Sequence, residues 1–432
     1  MRATDIISTP FTDAVFTINI PYVKFGLEAT REAGYEAKRL GVTRALVMVD
    51  PGLEQAEMTQ TVLESLRGQD IGVDVVTEVR VEPEDTAILE ASRAIKDKTI
   101  DGFVSVGGGS TIDTAKILNL LYTHPAELTD YINQPIGKGI APPGPLLPHI
   151  AIPTTAGTGS ENTAVAIFDI TQMKVKSGIS HPYLRPDIAI VDPLNTVSLP
   201  PMVTASSGLD VFNHAIESFT AHPYTAREKV AHPSERPVYA GSTPVADIFA
   251  TEAISWVHRY LRRAVAEPRD IEARYYLMLG ASIAGVGFGH AGVHIPHAMG
   301  YPISGMVRQW APKDYEFGYA LSPHGISTAI PAAYVFRFLV KFDFERFEKI
   351  AEVLDIKGET QRALGDNLYG YYLDLLSALG IPTTLKPLGF GERDLDKLVD
   401  GTLAQQRLVK LAPKRITREE VKRLFEEAIS GT

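Results

Sequence analysis

Hydrophobic positions in the first half of the chain fall into short β-branched runs separated by helix-length amphipathic stretches. Residues 44–49 (RALVMV), 73–77, 102–106 (GFVSV), 149–152 and 188–191 read as strands, near-continuously apolar as strands buried on both faces are. Between them, 52–66, 84–96 and 111 to about 121 carry helical spacing. Strands alternating with helices of this length predict a parallel sheet covered on both faces. From about residue 196 the strand signal fades and helical spacing takes over, at 209–220, 246–265, 271–283, 327–338, 344–354 and 364–379. Thr417 and Glu420 then form a capping-box pattern ahead of a last apolar stripe. The breakers in SLPPM place the expected boundary between an α/β domain, 1–195, and an all-α domain, 196–432. A Pro-, His- and charge-rich insertion, 222–243, reads as a long loop over the second domain.

Composition narrows the function classes. A net charge of -10 argues against nucleic acid or an anionic membrane as the main partner. No apolar run is long enough to span a bilayer. With no cysteine, disulfides and thiolate chemistry are excluded. The N-terminus has neither a signal-peptide core nor an Arg-rich transit pattern, so a cytoplasmic protein is expected.

Two loops that follow strands are candidates for phosphate. Gly107, Gly108, Gly109 and Ser110 lead from a strand into a helix N-terminus, where glycines admit an anion and free amides face it. Thr154, Thr155 and Thr158 lie in the second loop, PTTAGTGSE. Asp50 ends a strand upstream, unlike the ribose-binding acid of the Rossmann fingerprint, which follows the glycines. In GLDVFNHAIE, Asp210 and His214 are four apart and share a helix face with apolar neighbours. A carboxylate and an imidazole on such a face need each other or a cation. The stretch 287–325 supplies further imidazoles, His290, His294, His297 and His324. Helical periodicity alone would place His290, His294 and His297 on one face.

GGGSTIDTAK, PTTAGTGSE, GLDVFNHAIES, HAMGYPISG and SPHG resemble, in order, the motifs of the iron-containing alcohol dehydrogenase family. The chain is most like the hydroxyacid-oxoacid transhydrogenase branch, through its VKSGI stretch, the 222–243 insertion and GVHxxHxMxYPISG. The resemblance implies a dehydroquinate-synthase-like, Rossmann-type N-terminal domain, a helical C-terminal domain and a divalent metal (Fe2+, with Zn2+ or Mn2+ as alternatives) in the cleft between them. It makes Asp210, His214, His297 and His324 the ligands, and leaves His290 and His294 in supporting roles. It puts the pyrophosphate of NAD at Gly107–Ser110, the nucleotide along Thr154, Thr155 and Thr158, the adenosine ribose at Asp50, and Lys176 near the cofactor. Tyr301 stands where many relatives carry a further histidine.

The implied activity is hydride transfer through NAD from a hydroxy acid, 4-hydroxybutyrate, to a 2-oxo acid, 2-oxoglutarate. The alternative is an NAD-dependent dehydrogenase of primary alcohols that releases its cofactor. Small molecules, not nucleic acid or membrane, are the expected partners, and a homo-oligomer the expected assembly. A substrate carboxylate needs a cation; Arg227, Lys229, Arg236, Arg308 and Lys313 are candidates in the extra loops, Arg308 first.

Overall fold

The computed structural model describes residues 12–173, 175–315 and 318–432. Two compact units emerge: Asn19–Ser198, and Leu199–Thr432 together with residues 12–18. The strand–helix alternation gave no reason to set the first residues apart from the α/β unit. They join the helical unit because Asp13 is buried between Arg227 and Arg236 of the insertion, 3.7 and 2.7 Å away.

In the α/β unit, six strands form one parallel sheet in the order β1 (Tyr22–Phe25), β8 (Ile188–Val191), β5 (His149–Pro153), β4 (Gly102–Gly107), β2 (Arg44–Val49) and β3 (Gly72–Val76). Strand alternation feeds two apolar cores. Ala45, Val47 and Val49 of β2 face α1 (Ala33–Arg39) and α2 (Glu57–Arg67). Leu46 and Met48 face the side of α3 (Asp85–Ile95) and α4 (Gly109–Thr123), where the single turn α5 (Leu128–Tyr131) also packs. Burial on both faces explains why these strands read as unbroken apolar runs.

The chain leaves β2 toward β3 on one side and leaves β4 toward β5 on the other, while β2 and β4 pair directly. Connections diverging from neighbouring strands open a crevice at their carboxyl ends, the usual ligand place in such sheets. Two features were not expected from sequence. Strand β1 is only four residues long, and β6 (Val165–Ile170) pairs antiparallel with β7 (Val175–Ser180) in a separate hairpin.

The helical unit comprises α6 (Pro201–Thr220), α7 (Pro244–Ala266), α8 (Ile271–Ala291), α9 (Ile295–Met306), α10 (His324–Leu339), α11 (Phe344–Val353), α12 (Gln361–Ala378), α13 (Leu395–Ala404), α14 (Gln406–Val409) and α15 (Arg418–Ser430). The expected capping box is made: Thr417 accepts from Glu420 N–H, and the Glu420 side chain returns to Thr417. Helix α8 runs eight residues past its expected end, through glycines whose missing side chains let it approach α7; a Cβ on Gly287 would lie 3.4 Å from the Ala246 carbonyl. It stops at Gly292, whose φ of 84° favours glycine, and α9 departs at 104°. That bend takes His290, His294 and His297 off a common face.

Candidate metal centre and nucleotide loops

Helix α6 supplies the first half of the centre. Asp210, His214 and Glu217 recur on one face at i, i+4 and i+7, all buried. After the α8–α9 break, His297 enters from the first turn of α9, and His324 opens α10. The ligating atoms of Asp210, His297 and His324 lie within 4.8 Å of one another. His297 Nε2 and His324 Nε2 stand 3.5 and 3.9 Å from Asp210 Oδ1. His214 lies just outside that cluster, its Nδ1 3.8 Å from Asp210 Oδ2 and its ring stacked between Phe288 and His297 at 3.8 and 4.5 Å.

Asp210 Oδ1, His214 Nδ1 and His297 Nε2 are buried and make no hydrogen bond. Orphaned buried lone pairs on three adjacent side chains are costly without a cation, and one carboxylate with three imidazoles suits a divalent transition metal. The donors therefore fit the ion. Burial pushes Asp210 up, but the surrounding imidazoles of His214, His324 and His297 outweigh it and hold the carboxyl well below its usual range. Burial pulls His297 down, yet Glu217 and Asp210 on either side of its ring push it up to about 9.

Glu217 orients this centre, a residue outside the ligand set expected from sequence. Its Oε1 accepts from His297 Nδ1 at 2.6 Å, so that Nε2 is the nitrogen turned to Asp210. Its Oε2 accepts from His294 N–H at 2.6 Å and His297 N–H at 3.4 Å, tying the start of α9 to α6. The i+7 spacing from Asp210 was the signal available. His294 is fully engaged otherwise: Nδ1 caps Ile295 N–H at 2.8 Å and Nε2 meets Thr220 Oγ1 at 2.9 Å. His290 Nδ1 is 2.7 Å from the Val286 carbonyl.

Tyr301, one turn after His297, has its ring 5.8 Å from that of His324. Its hydroxyl accepts from Arg407 Nη2 at 3.1 Å. The loop cations expected to meet a carboxylate are placed otherwise. Arg308 pairs with Asp394 at 3.2 Å with its side chain 55% exposed, Arg227 and Arg236 are spent on Asp13, and Lys229 and Lys313 are exposed.

In the α/β unit, Gly107 ends β4 and Gly108 leads into α4. The second loop packs against the first. Thr154 N–H donates to the Gly107 carbonyl at 3.0 Å, and a Cβ on Gly109 would strike Thr158 at 2.5 Å. A Cβ on Gly108 would meet Thr155 at 3.4 Å. Packing thus accounts for Gly109 in its own right, while the helix N-terminus beside it stays suited to a phosphate. Ser110 Oγ accepts from Glu82 N–H at 3.2 Å. Asp50 follows β2 directly, its N–H donating to the Val106 carbonyl at 3.3 Å and its carboxylate accepting from Gly52 N–H at 3.0 Å; burial pushes its carboxyl up. Lys176, read from sequence as a residue near the cofactor, is a buried ion-pair partner of Glu82 and of Asp169, 3.3 Å away.

Residues 21–193 match the iron-containing alcohol dehydrogenase family, and residues 204–429 its C-terminal part. The mitochondrial hydroxyacid-oxoacid transhydrogenase of Bos taurus is 42% identical over 426 residues, 97% of this chain and 91% of that protein. A 1,3-propanediol oxidoreductase crystal structure superposes with a TM-score of 0.83 at 28% identity, covering 96% of this chain and all of the other (100%). Sulfoacetaldehyde reductase from Bifidobacterium kashiwanohense, solved with NAD+, gives 0.80 at 26% identity, covering 97% and 100%. The cytoplasmic expectation is overturned by the relatives at about 40% identity, which are named as mitochondrial. A targeting segment is an address outside the fold, so an unremarkable N-terminus does not decide the compartment.

Proposed function

The chain belongs to the iron-containing alcohol dehydrogenase family, and on that premise we propose that this oxidoreductase is a metal- and NAD-dependent hydroxyacid-oxoacid transhydrogenase. Its donor would be 4-hydroxybutyrate and its acceptor 2-oxoglutarate, with the nucleotide retained between the two half-reactions. Asp210, His214, His297 and His324 would hold the divalent ion, Fe2+ before Zn2+ or Mn2+. The observation that carries this assignment is the group of orphaned buried donor atoms on Asp210, His214 and His297. When bound, such an ion supplies Lewis acidity to the substrate oxygen.

The chain's own residues do the rest. Glu217 keeps the His297 proton on Nδ1 and so presents Nε2. Apolar burial around α6 and α9 shields Asp210, His214 and His297 from water, while His324 stays partly open. Gly107, Gly108, Gly109 and Ser110 would receive the pyrophosphate at the start of α4, with Thr154, Thr155 and Thr158 along the nucleotide. Asp50 would accept from the adenosine ribose and repel a 2′-phosphate, which favours NAD over NADP. Lys176, held between Glu82 and Asp169, would support the Ser110 loop through Glu82. Assembly as a homo-oligomer belongs to the same proposal and is tested by sedimentation.

Near full-length similarity to the bovine transhydrogenase supports the branch. The second reading, an alcohol dehydrogenase that releases NADH, is favoured by the match to 1,3-propanediol oxidoreductase. Purified, metal-loaded protein should carry nucleotide identifiable by mass spectrometry after denaturation. It should also convert 4-hydroxybutyrate plus 2-oxoglutarate to succinate semialdehyde plus 2-hydroxyglutarate with no NAD added. Turnover that starts only on adding NAD would select the dehydrogenase.

A further inference from the structure

Arg407, on the short helix α14, is a cation outside the loops from which a carboxylate partner was expected. Its Nη2 donates to Tyr301 Oη at 3.1 Å, and its guanidinium lies 5.9 Å from the ring centre of Tyr239. It is partly buried and, among the described residues, has no carboxylate partner. The guanidinium groups of the extra loops, by contrast, all pair with acids: Arg227 and Arg236 with Asp13, Arg308 with Asp394. A guanidinium drawn in among side chains without a counter-charge is poorly compensated, which suits a group whose anion arrives with a ligand.

Its position says which ligand. Tyr301 bridges Arg407 to the donor cluster, since its ring is 5.8 Å from that of His324. The insertion 222–243 braces the other side. Tyr239 packs where a Cβ on Gly292 would fall (2.9 Å), and Ala240 and Gly241 N–H donate to the last carbonyls of α8 at 2.6 and 3.1 Å.

We propose that Arg407, set by Tyr239 and Tyr301, is the carboxylate-binding residue for the far end of the substrate. The proposal rests on the hydroxy-acid function given above. In 4-hydroxybutyrate the carboxylate carbon is three bonds from the carbinol carbon; in 2-oxoglutarate the distal carboxylate carbon is three bonds from the keto carbon. One cation at one distance from the reacting oxygen therefore serves donor and acceptor alike. A planar, always-charged fork is the group best matched to such a carboxylate.

The test is calorimetric binding to purified metal-loaded protein with three probes: 4-hydroxybutyrate, butyrate (no hydroxyl) and 1-butanol (no carboxylate). Arg407→Ala should weaken both acids roughly 10- to 100-fold, the worth of a charge-assisted hydrogen bond, and leave 1-butanol within about twofold. If the alanine variant melts early, Arg407→Gln, which keeps the stem without the charge, should give the same selective loss. Equal weakening of all three probes, unchanged acid binding in the variant, or a wild type that binds butyrate no better than 1-butanol would overturn the assignment. Selective loss in a protein that never passes hydride from 4-hydroxybutyrate to 2-oxoglutarate would uphold Arg407 and refute the proposed function instead.

Discussion

Replacing Glu217 by Gln keeps the size of a fully buried side chain and exchanges its charge and one acceptor oxygen for an NH2 donor. In the native protein its two oxygens serve three donors: His297 Nδ1 at 2.6 Å, His294 N–H at 2.6 Å and His297 N–H at 3.4 Å. A glutamine offers a single oxygen. If that oxygen keeps His297 Nδ1, the amide NH2 faces the two backbone N–H groups; if it turns to the backbone, NH2 faces the imidazole. Either way a buried donor is left unmade, at a cost of about 1–3 kcal/mol to the fold. The metal-facing effect is separate. Loss of the partner that orients a ligating imidazole lowers metal affinity by typically 10- to 100-fold, or about 1.4–2.8 kcal/mol. The assay is competition for Zn2+ between the protein and a chromophoric chelator, run well below the melting point of the variant, with near-ultraviolet dichroism as the fold check. An affinity within about twofold of wild type in a folded variant would refute the orienting role and leave Glu217 as a clamp between α6 and α9.

His324→Ala should lose most metal measured by plasma emission, whereas His290→Ala, whose Nδ1 is turned to the Val286 carbonyl, should keep it; the reverse would show the ligand set to be misassigned. Asp50→Gly should narrow the preference for NAD over NADP in steady-state kcat/KM by about tenfold or more, because the charge that repels a 2′-phosphate is gone; a wild type preferring NADP would refute the role. Burial pushes Glu161 up from 4.5 to about 7, so the folded protein retains a proton that the unfolded chain has lost. Its penalty is absent below pH 4.5, grows to about 3 kcal/mol as pH rises to 7 and is level above it. Glu161→Gln should therefore raise thermal stability at pH 8 and not at pH 4.5, and a gain independent of pH would contradict this.

The sheet strands were legible because burial on both faces leaves almost no polar residue in β2, β4, β5 and β8. Strand β1 was not, since four residues, YVKF, with a lysine among them carry too little pattern. The hairpin β6–β7 escaped for a similar reason, half-buried Asp169 and buried Lys176 lying inside strands as an ion pair that reads as solvated charge. In the helical unit α8 was expected to end near residue 283, yet Gly287 packs against α7 and the break comes only at Gly292. Asp210, His214, His297 and His324 could be nominated from motif resemblance, and the structure gathers three of them within one cluster with His214 at its border. Arg407 could not: nothing in QQRLVK separates it from a surface arginine, and its meaning comes from Tyr301 and Tyr239, far away in sequence.

The most direct test of the central claim is isotopic. 4-Hydroxybutyrate carrying deuterium at C4 is incubated with enzyme, 2-oxoglutarate and a pool of unlabelled NADH, and the 2-hydroxyglutarate formed is examined by mass spectrometry. Retention of the nucleotide predicts that deuterium appears at C2 of 2-hydroxyglutarate undiluted by the pool. Label lost into free NADH, with unlabelled 2-hydroxyglutarate as the main product, would contradict transhydrogenation.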